Sequence, residues 1–220
     1  QELLNVLFLK EDEVLSSLEK LHFKNGIISN VGNKKLCQKI LRTFPDFVLM
    51  SHNLNFPVVL KYNSVLSLGH DRIANAVGAH ASFPNKNNLV IDVGTCITYD
   101  FLNNSNEYLG GGISPGFNLR MKALNSFTEN LPVVNFKIKS IPLIGTNTIE
   151  SIESGVVNGT INEIIQNISA YEQLHPEINV ILTGGDTTFI KSIVSTKKNS
   201  IFADENLTLK GLYAVLKHNA

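Results

Sequence analysis

The sequence predicts an α/β fold, and three patterns predict it. Through residues 3–50, short apolar runs alternate with helically spaced apolar residues, the strand-helix-strand-helix-strand order that parallel pairing produces. Residues 89–110 then hold three strand-like runs joined by turn residues, which read as an antiparallel meander. Beyond them, long helical patterns flank one buried strand.

Taken in order, residues 3–9 read as a strand, and Val14, Leu15, Leu18 and Leu21 recur at helical spacing. Residues 26–31 form a second strand, Leu36, Ile40 and Leu41 share one helix face, and residues 47–50 are a third strand. An alanine-rich helix over 71–81 is closed by Pro84 and the polar run Asn85-Lys86-Asn87-Asn88, which marks the expected boundary between domains 1–87 and 88–220. The meander strands at 89–94, 95–102 and 108–110 are separated by Gly94-Thr95 and by Asn103-Asn104-Ser105-Asn106. Pro115-Gly116 precedes a helix through Leu119, Ala123 and Leu124. Asn147, with Glu150 at the third helical position, caps a long helix carrying Ile149, Ile152, Val156, Ile161, Ile164, Ile165 and Ile168. A buried strand at 179–183 runs into Gly184-Gly185-Asp186, and a helix around Leu209, Leu212 and Leu216 follows.

Composition narrows the function classes. With 220 residues, 43% hydrophobic and 17% charged, the chain can bury a real core and is far from the regime of intrinsic disorder. Its 19 basic and 19 acidic residues cancel, which argues against a protein built to neutralise a phosphate backbone. Cys37 and Cys96 share no metal-ligand spacing with each other or with the six histidines. Apolar runs such as Val58-Val59-Leu60 stop far short of the roughly 20 residues of a membrane span, and no basic-then-apolar leader pattern opens the chain, so a cytoplasmic location is expected. The lysine pairs Lys34-Lys35 and Lys197-Lys198 read as solvated positions.

The densest chemical signal is Ile91-Asp92-Val93-Gly94-Thr95-Cys96-Ile97-Thr98. A strand that ends in Asp-x-Gly-Thr and turns back presents backbone N–H groups and a hydroxyl to phosphate oxygens, with a carboxylate available to a cation. The same spacing also describes an ordinary hairpin turn. Gly110-Gly111-Gly112-Ile113-Ser114-Pro115-Gly116 and Gly184-Gly185-Asp186 each read as a strand-to-helix connection, where α/β folds bind phosphates. Neither fits the P-loop or the dinucleotide fingerprint. Gly69-His70-Asp71-Arg72 opens a helix, so Asp71 is either a capping carboxylate or a base for a substrate hydroxyl beside an anion-binding arginine.

In order along the chain, these pieces resemble the type III pantothenate kinases, which phosphorylate pantothenate at the first step of coenzyme A synthesis. The matching residues are Tyr62, Leu68-Gly69-His70-Asp71-Arg72, the segment from Leu89 to Asp100, the segment from Tyr108 to Gly116, Leu131-Pro132, Ile144-Gly145-Thr146-Asn147-Thr148, Ser154-Gly155 and Leu182-Thr183-Gly184-Gly185. The resemblance implies two ribonuclease H-like domains of the acetate kinase, sugar kinase, Hsp70 and actin type, with nucleotide in the cleft between them. It implies Asp71 as the base, a pantothenate pocket of Tyr62, Gly69, His70 and Arg72, Asp92 as ligand of an activating potassium or ammonium ion, and Thr95 as an ATP contact. It further implies Mg²⁺ with the ATP, and a homodimer in which Thr148 reaches the pantothenate of the neighbouring subunit. A non-catalytic family member acting as a transcriptional accessory factor, and kinase action on another small hydroxyl substrate within the superfamily, stand as alternatives. Val65 replaces the proline usual three residues after the tyrosine, and residues 1–9 lack the Asp-x-Gly-Asn-[Ser/Thr] strand that opens the family's first domain. With Gln1 at its start, the chain is expected to be a fragment lacking that strand.

Overall fold

The computed structural model describes residues 10–30, 32–137, 141–194 and 201–220, with no side-chain description at 193 and 194. The strand expected over residues 3–9 and Lys197-Lys198 lie outside the described residues.

Two sheets are present among them. The smaller pairs β1 (Gly26–Ile28) with β2 (Phe47–Leu49) in parallel, joined through α2 (Lys34–Thr43) and preceded by α1 (Glu11–Leu21). The start of α1 is held by the Lys10 backbone N–H donating to the Glu13 carboxylate at 3.1 Å, with Glu11, Asp12 and Glu13 all in the first turn where the dipole favours acids. Asn33 caps α2 by accepting from the Leu36 N–H at 3.1 Å, and Cys37 and Ile40 are the residues this helix buries. The parallel pairing of this unit is as the sequence predicts.

The larger sheet has six strands in the order β3 (Val59–Leu60), β6 (Glu107–Pro115), β5 (Cys96–Leu102), β4 (Asn88–Val93), β7 (Asn179–Thr183) and β8 (Ile201–Ala203). The meander is antiparallel, while β7 runs parallel to β4, β8 to β7 and β3 to β6. Strands β3 and β8 are two and three residues long, too short for alternation to reveal. One expectation is corrected: Gly110, Gly111 and Gly112 lie inside β6, which runs on to Pro115, and only Gly116 stands between strand and helix. A side chain at Gly111 would meet the Tyr99 carbonyl oxygen at 1.8 Å, so the run is glycine-rich because β5 lies against it, beside a register shift at Phe101/Leu102.

Helices cover both faces. On one, α4 (Phe117–Ser126) and α5 (Thr148–Leu174) bury Phe117, Met121, Ile152, Val156, Ile164 and Ile168 against Leu89, Ile91, Val93, Ile97 and Tyr99. Each such side chain contributes about 1.5–3 kcal/mol by leaving water. Ile149, expected on this apolar side, is 51% exposed. On the other face, α3 (His70–Ser82) and α7 (Leu207–His218) cover Val90 and Ile181. Residues 72–79 of α3 are all buried, which explains its alanines. A side chain at Gly211 would sit 1.8 Å from the Ala74 carbonyl oxygen, and one at Gly78 2.6 Å from that of Leu207, so the two helices meet backbone to backbone. Between β7 and β8, α6 (Thr187–Val194) brings Phe189 and Ile190 into the α5-side core.

Candidate active site

Three turns are pressed together where β4 and β7 end. At the first, the Gly94 N–H donates to the Cys96 carbonyl at 3.0 Å, and the Gly116 N–H donates to the Thr95 carbonyl at 3.0 Å. A side chain at Gly116 would come within 2.1 Å of the Gly94 carbonyl oxygen. At the third turn, the Asp186 N–H donates to the Val93 carbonyl at 3.0 Å. Gly184 has φ +94° and leaves 2.4 Å between an added Cβ and Asp92 Oδ1, so only glycine suits both the backbone and the space. Sequence reasoning chose all three turns from their glycines, the second as Gly116 at the end of a longer run, and the fold brings them together.

Beside these turns lies a cavity of about 510 Å³ lined by Gly94, Thr95, Asn118, Lys122, Asn135 and Asp186, among others. Burial pushes the Asp186 carboxyl up. Asn118 and Lys122, missed in the sequence, are four residues apart on α4 and therefore on one helix face, directly after the Gly116 turn. That spacing was a usable signal. Asn135 had none, being fixed by an irregular segment.

Asp92 is held from α3 and α7. Asn75, fully buried, donates from Nδ2 to Asp92 Oδ2 at 3.0 Å and accepts the Thr208 hydroxyl at 2.7 Å. Burial raises the Asp92 carboxyl above the usual range, the Asn75 hydrogen bond opposes this, and the nearby charge of Asp71 adds to it. The Thr183 hydroxyl, on the β7 residue in register with Asp92, is buried without a hydrogen-bond partner.

Asp71 is in the first turn of α3 and exposed; the cap position belongs to Gly69. Its Oδ1 accepts the Arg72 backbone N–H at 2.9 Å, and a side chain at Gly69 would crowd that oxygen at 2.4 Å. The His70 ring lies 4.6 Å from that of His52, tilted by 48°, and its buried Nε2 has no hydrogen-bond partner. Burial and then His52 hold its imidazole below the usual value, with Asp71 pulling the other way. Arg72 is not free: its Nε donates to Asp100 Oδ1 at 2.7 Å and its Nη2 to the Tyr99 carbonyl at 3.3 Å. The Tyr108 and Thr98 hydroxyls also donate to Asp100, at 2.7 and 2.9 Å. Asp100 was missed; a carboxylate between Tyr99 and Phe101 inside a strand was its signal. Tyr62 lies against Gly110, whose φ of +100° and 3.2 Å clearance disfavour any side chain, and its ring is 6.1 Å from that of Tyr108.

Thr148 is exposed at the start of α5, where Asn147 accepts the Glu150 N–H at 3.0 Å. It lines a separate cavity of about 780 Å³ between α4 and α5, with Arg120, Phe127, Ser151 and Gly155. Among the described residues, no group of three or more His, Cys, Asp or Glu side chains is placed to hold a metal ion, and no helix is long and apolar enough to cross a membrane.

The sequence model of the type III pantothenate kinases matches residues 10–170. The chain belongs to this family. It is 40% identical over 214 residues to the type III pantothenate kinase of Bacteroides fragilis strain YCH46, covering 94% of this chain and 86% of that one. Identity with the type III pantothenate kinase of Cytophaga hutchinsonii is 42% over 207 residues, at 94% and 86% coverage. A crystal structure from Campylobacter jejuni, assigned to the Baf family of transcriptional activators, aligns at TM-score 0.58 and 25% identity over 91% of this chain and 87% of that one. Asp71, Asp92, Thr95, Arg120 and Thr148 all lie within the part matched to the type III pantothenate kinases.

Proposed function

We propose that the chain catalyses ATP-dependent phosphorylation of pantothenate to 4′-phosphopantothenate, the first step of coenzyme A synthesis. Family membership supports the reaction. One observation carries the assignment to this site: the Gly94-Thr95, Gly116 and Gly184 turns converge around Asp92, with Asp71 close enough for its charge to act on that carboxylate.

In this reading Asp71 accepts the proton of the pantothenate hydroxyl while that oxygen bonds to the γ-phosphorus. The bond from phosphorus to the bridging oxygen breaks, and ADP leaves. Little covalent work falls to the protein, so positioning and charge neutralisation dominate. Gly69, His70, Tyr62 and Arg72 flank the hydroxyl, Arg72 through its fixed place beside Asp71, since its Nε and Nη2 are engaged. Thr95 faces the phosphates, with Lys122 on the same cavity as a further cation. Mg²⁺ would accompany ATP and supply charge neutralisation at its phosphates. Asp92 would hold the monovalent cation, potassium or ammonium: its Oδ2 is taken by Asn75, and the neighbouring Asp71 adds negative charge that a cation offsets. Bound there, the ion would supply neutralisation of developing charge.

Domains 1–87 and 88–220 belong to the same reading. The separate β1–β2 sheet supports a first unit, although β3 and α3 lie with the larger sheet. A homodimer is supported by the exposed Leu143, Ile144, Ile149 and Phe127 around Thr148, at 79%, 77%, 51% and 87% exposure. The regulatory alternative has only the description of the Campylobacter jejuni protein on its side. The test is ADP release in the presence of ATP, Mg²⁺ and K⁺. It should require pantothenate, and turnover that ignores pantothenate would overturn the assignment.

A further inference from the structure

A polar layer crosses the α3/α7 face of the large sheet. Register sets Thr98, Asp92 and Thr183 side by side on β5, β4 and β7, and paired residues share a face of the pleat. Two of the three have fixed partners: Thr98 donates to Asp100, and Asp92 Oδ2 accepts from Asn75. The third does not. Thr183 is 1% exposed and its hydroxyl has no hydrogen-bond partner, a state that carries the full cost of desolvation.

The chain Thr208 to Asn75 to Asp92 has a direction. The Thr208 hydroxyl donates to Asn75 Oδ1, which fixes that amide with its NH₂ toward Asp92. Asn75 therefore occupies one carboxylate oxygen and leaves Oδ1, which the backbone at Gly184 approaches from one side. An orphaned hydroxyl in register with a half-committed carboxylate is an oxygen donor set that wants a cation. One formal charge supplemented by neutral oxygens suits a singly charged ion.

We propose that the Thr183 hydroxyl joins Asp92 Oδ1 in binding the monovalent cation, and that Asn75 and Thr208 are positioning residues that aim Asp92 at it. The inference rests on the kinase reading above for the identity of the ion. Outer partners of this kind typically change metal affinity ~10–100-fold when removed.

The full chain is compared with Thr183→Val, Thr183→Ser and Thr208→Val over a KCl series at ionic strength held constant with choline chloride. ADP formation and, separately, thermal unfolding with ADP present are read at each point. Thr183→Val is expected to need at least ~10-fold more KCl for the half-maximal rate and for the half-maximal rise in Tm, with KM for pantothenate within ~2-fold. Thr183→Ser keeps both K⁺ midpoints near those of the unsubstituted chain. Thr208→Val moves both midpoints in the same direction by ~10-fold, since the Asn75 amide is no longer fixed. Unmoved midpoints in Thr183→Val, or a serine variant as impaired as the valine, overturn the ligand assignment. Unmoved midpoints in Thr208→Val overturn the positioning role, and they do so even where Thr183→Val does not fold. Lack of pantothenate-dependent ADP release in the unsubstituted chain would overturn the kinase reading alone, because the K⁺-dependent Tm still decides the cation site. A Tm indifferent to K⁺ overturns the site itself.

Discussion

Arg72 Nε donates to Asp100 Oδ1 at 2.7 Å, with the two side chains 6% and 0% exposed. Removing one member of such a pair strands the other charge without solvent, which is worse than never having buried either. Asp100→Ala would also leave the Tyr108 and Thr98 hydroxyls without their acceptor. Urea unfolding should show a loss of about 3–5 kcal/mol. A loss below about 1 kcal/mol would mean that the pair is not maintained in solution.

Asp71 is exposed in the first turn of α3 and makes its hydrogen bond to the adjacent N–H, so its replacement disturbs little packing. Asp71→Asn is expected to lower kcat by about 10²–10⁴-fold with Tm nearly unchanged. Turnover near that of the unsubstituted enzyme would remove Asp71 from the role of base.

The glycines divide into those the fold requires and those it tolerates. Gly184→Ala places a side chain at φ +94° and 2.4 Å from Asp92 Oδ1, so both Tm and turnover should fall. Gly159, inside α5, has nothing within 4 Å of an added Cβ, and Gly159→Ala should raise stability by about 0.5–1 kcal/mol. Differential scanning calorimetry on the two variants should give shifts of opposite sign.

Glu163 accepts hydrogen bonds from the Tyr99 hydroxyl, at 3.0 Å, and from Arg120. Burial disfavours its charge, but hydrogen bonding from Arg120, Ser114 and Tyr99 outweighs this and holds its carboxyl below the ordinary value of 4.5. A lowered folded-state value means the stabilisation is complete above the ordinary value and disappears as pH falls through the folded one. Tm should therefore decline below about pH 4.5, and Glu163→Gln should flatten that decline. An equally steep acid limb in the variant would place the sensitivity elsewhere.

How far the sequence was readable depends on how local the cause is. Helices α2 and α7 follow from apolar spacing, and the start of α5 follows from Asn147, which does accept the Glu150 N–H. The Glu150 carboxylate, however, accepts from the Thr146 N–H and hydroxyl, at 2.8 and 2.6 Å, one residue before the expected cap. The glycine run of β6 was misread because its cause is the Tyr99 carbonyl on the neighbouring strand, which no window around residues 110–112 contains. The same holds at the site. Asp92, Thr95 and the Gly184 turn announce themselves as motifs, whereas the engagement of Arg72 depends on Asp100, 28 residues away, and the aim of Asp92 depends on Asn75 and Thr208.

The bond between Thr208 and Asn75 joins residues 133 positions apart. During synthesis, the chain finishes α3 and the whole meander well before α7 exists to supply that hydroxyl or to seat Gly211 against Ala74. A nascent chain at that stage holds Asn75, Asp92 and the Gly94-Thr95 turn but lacks the Thr208 hydroxyl that donates to the Asn75 amide oxygen. The hydrogen-bonded chain through Asn75 to Asp92 is thus completed only by the helix farthest downstream in the described structure.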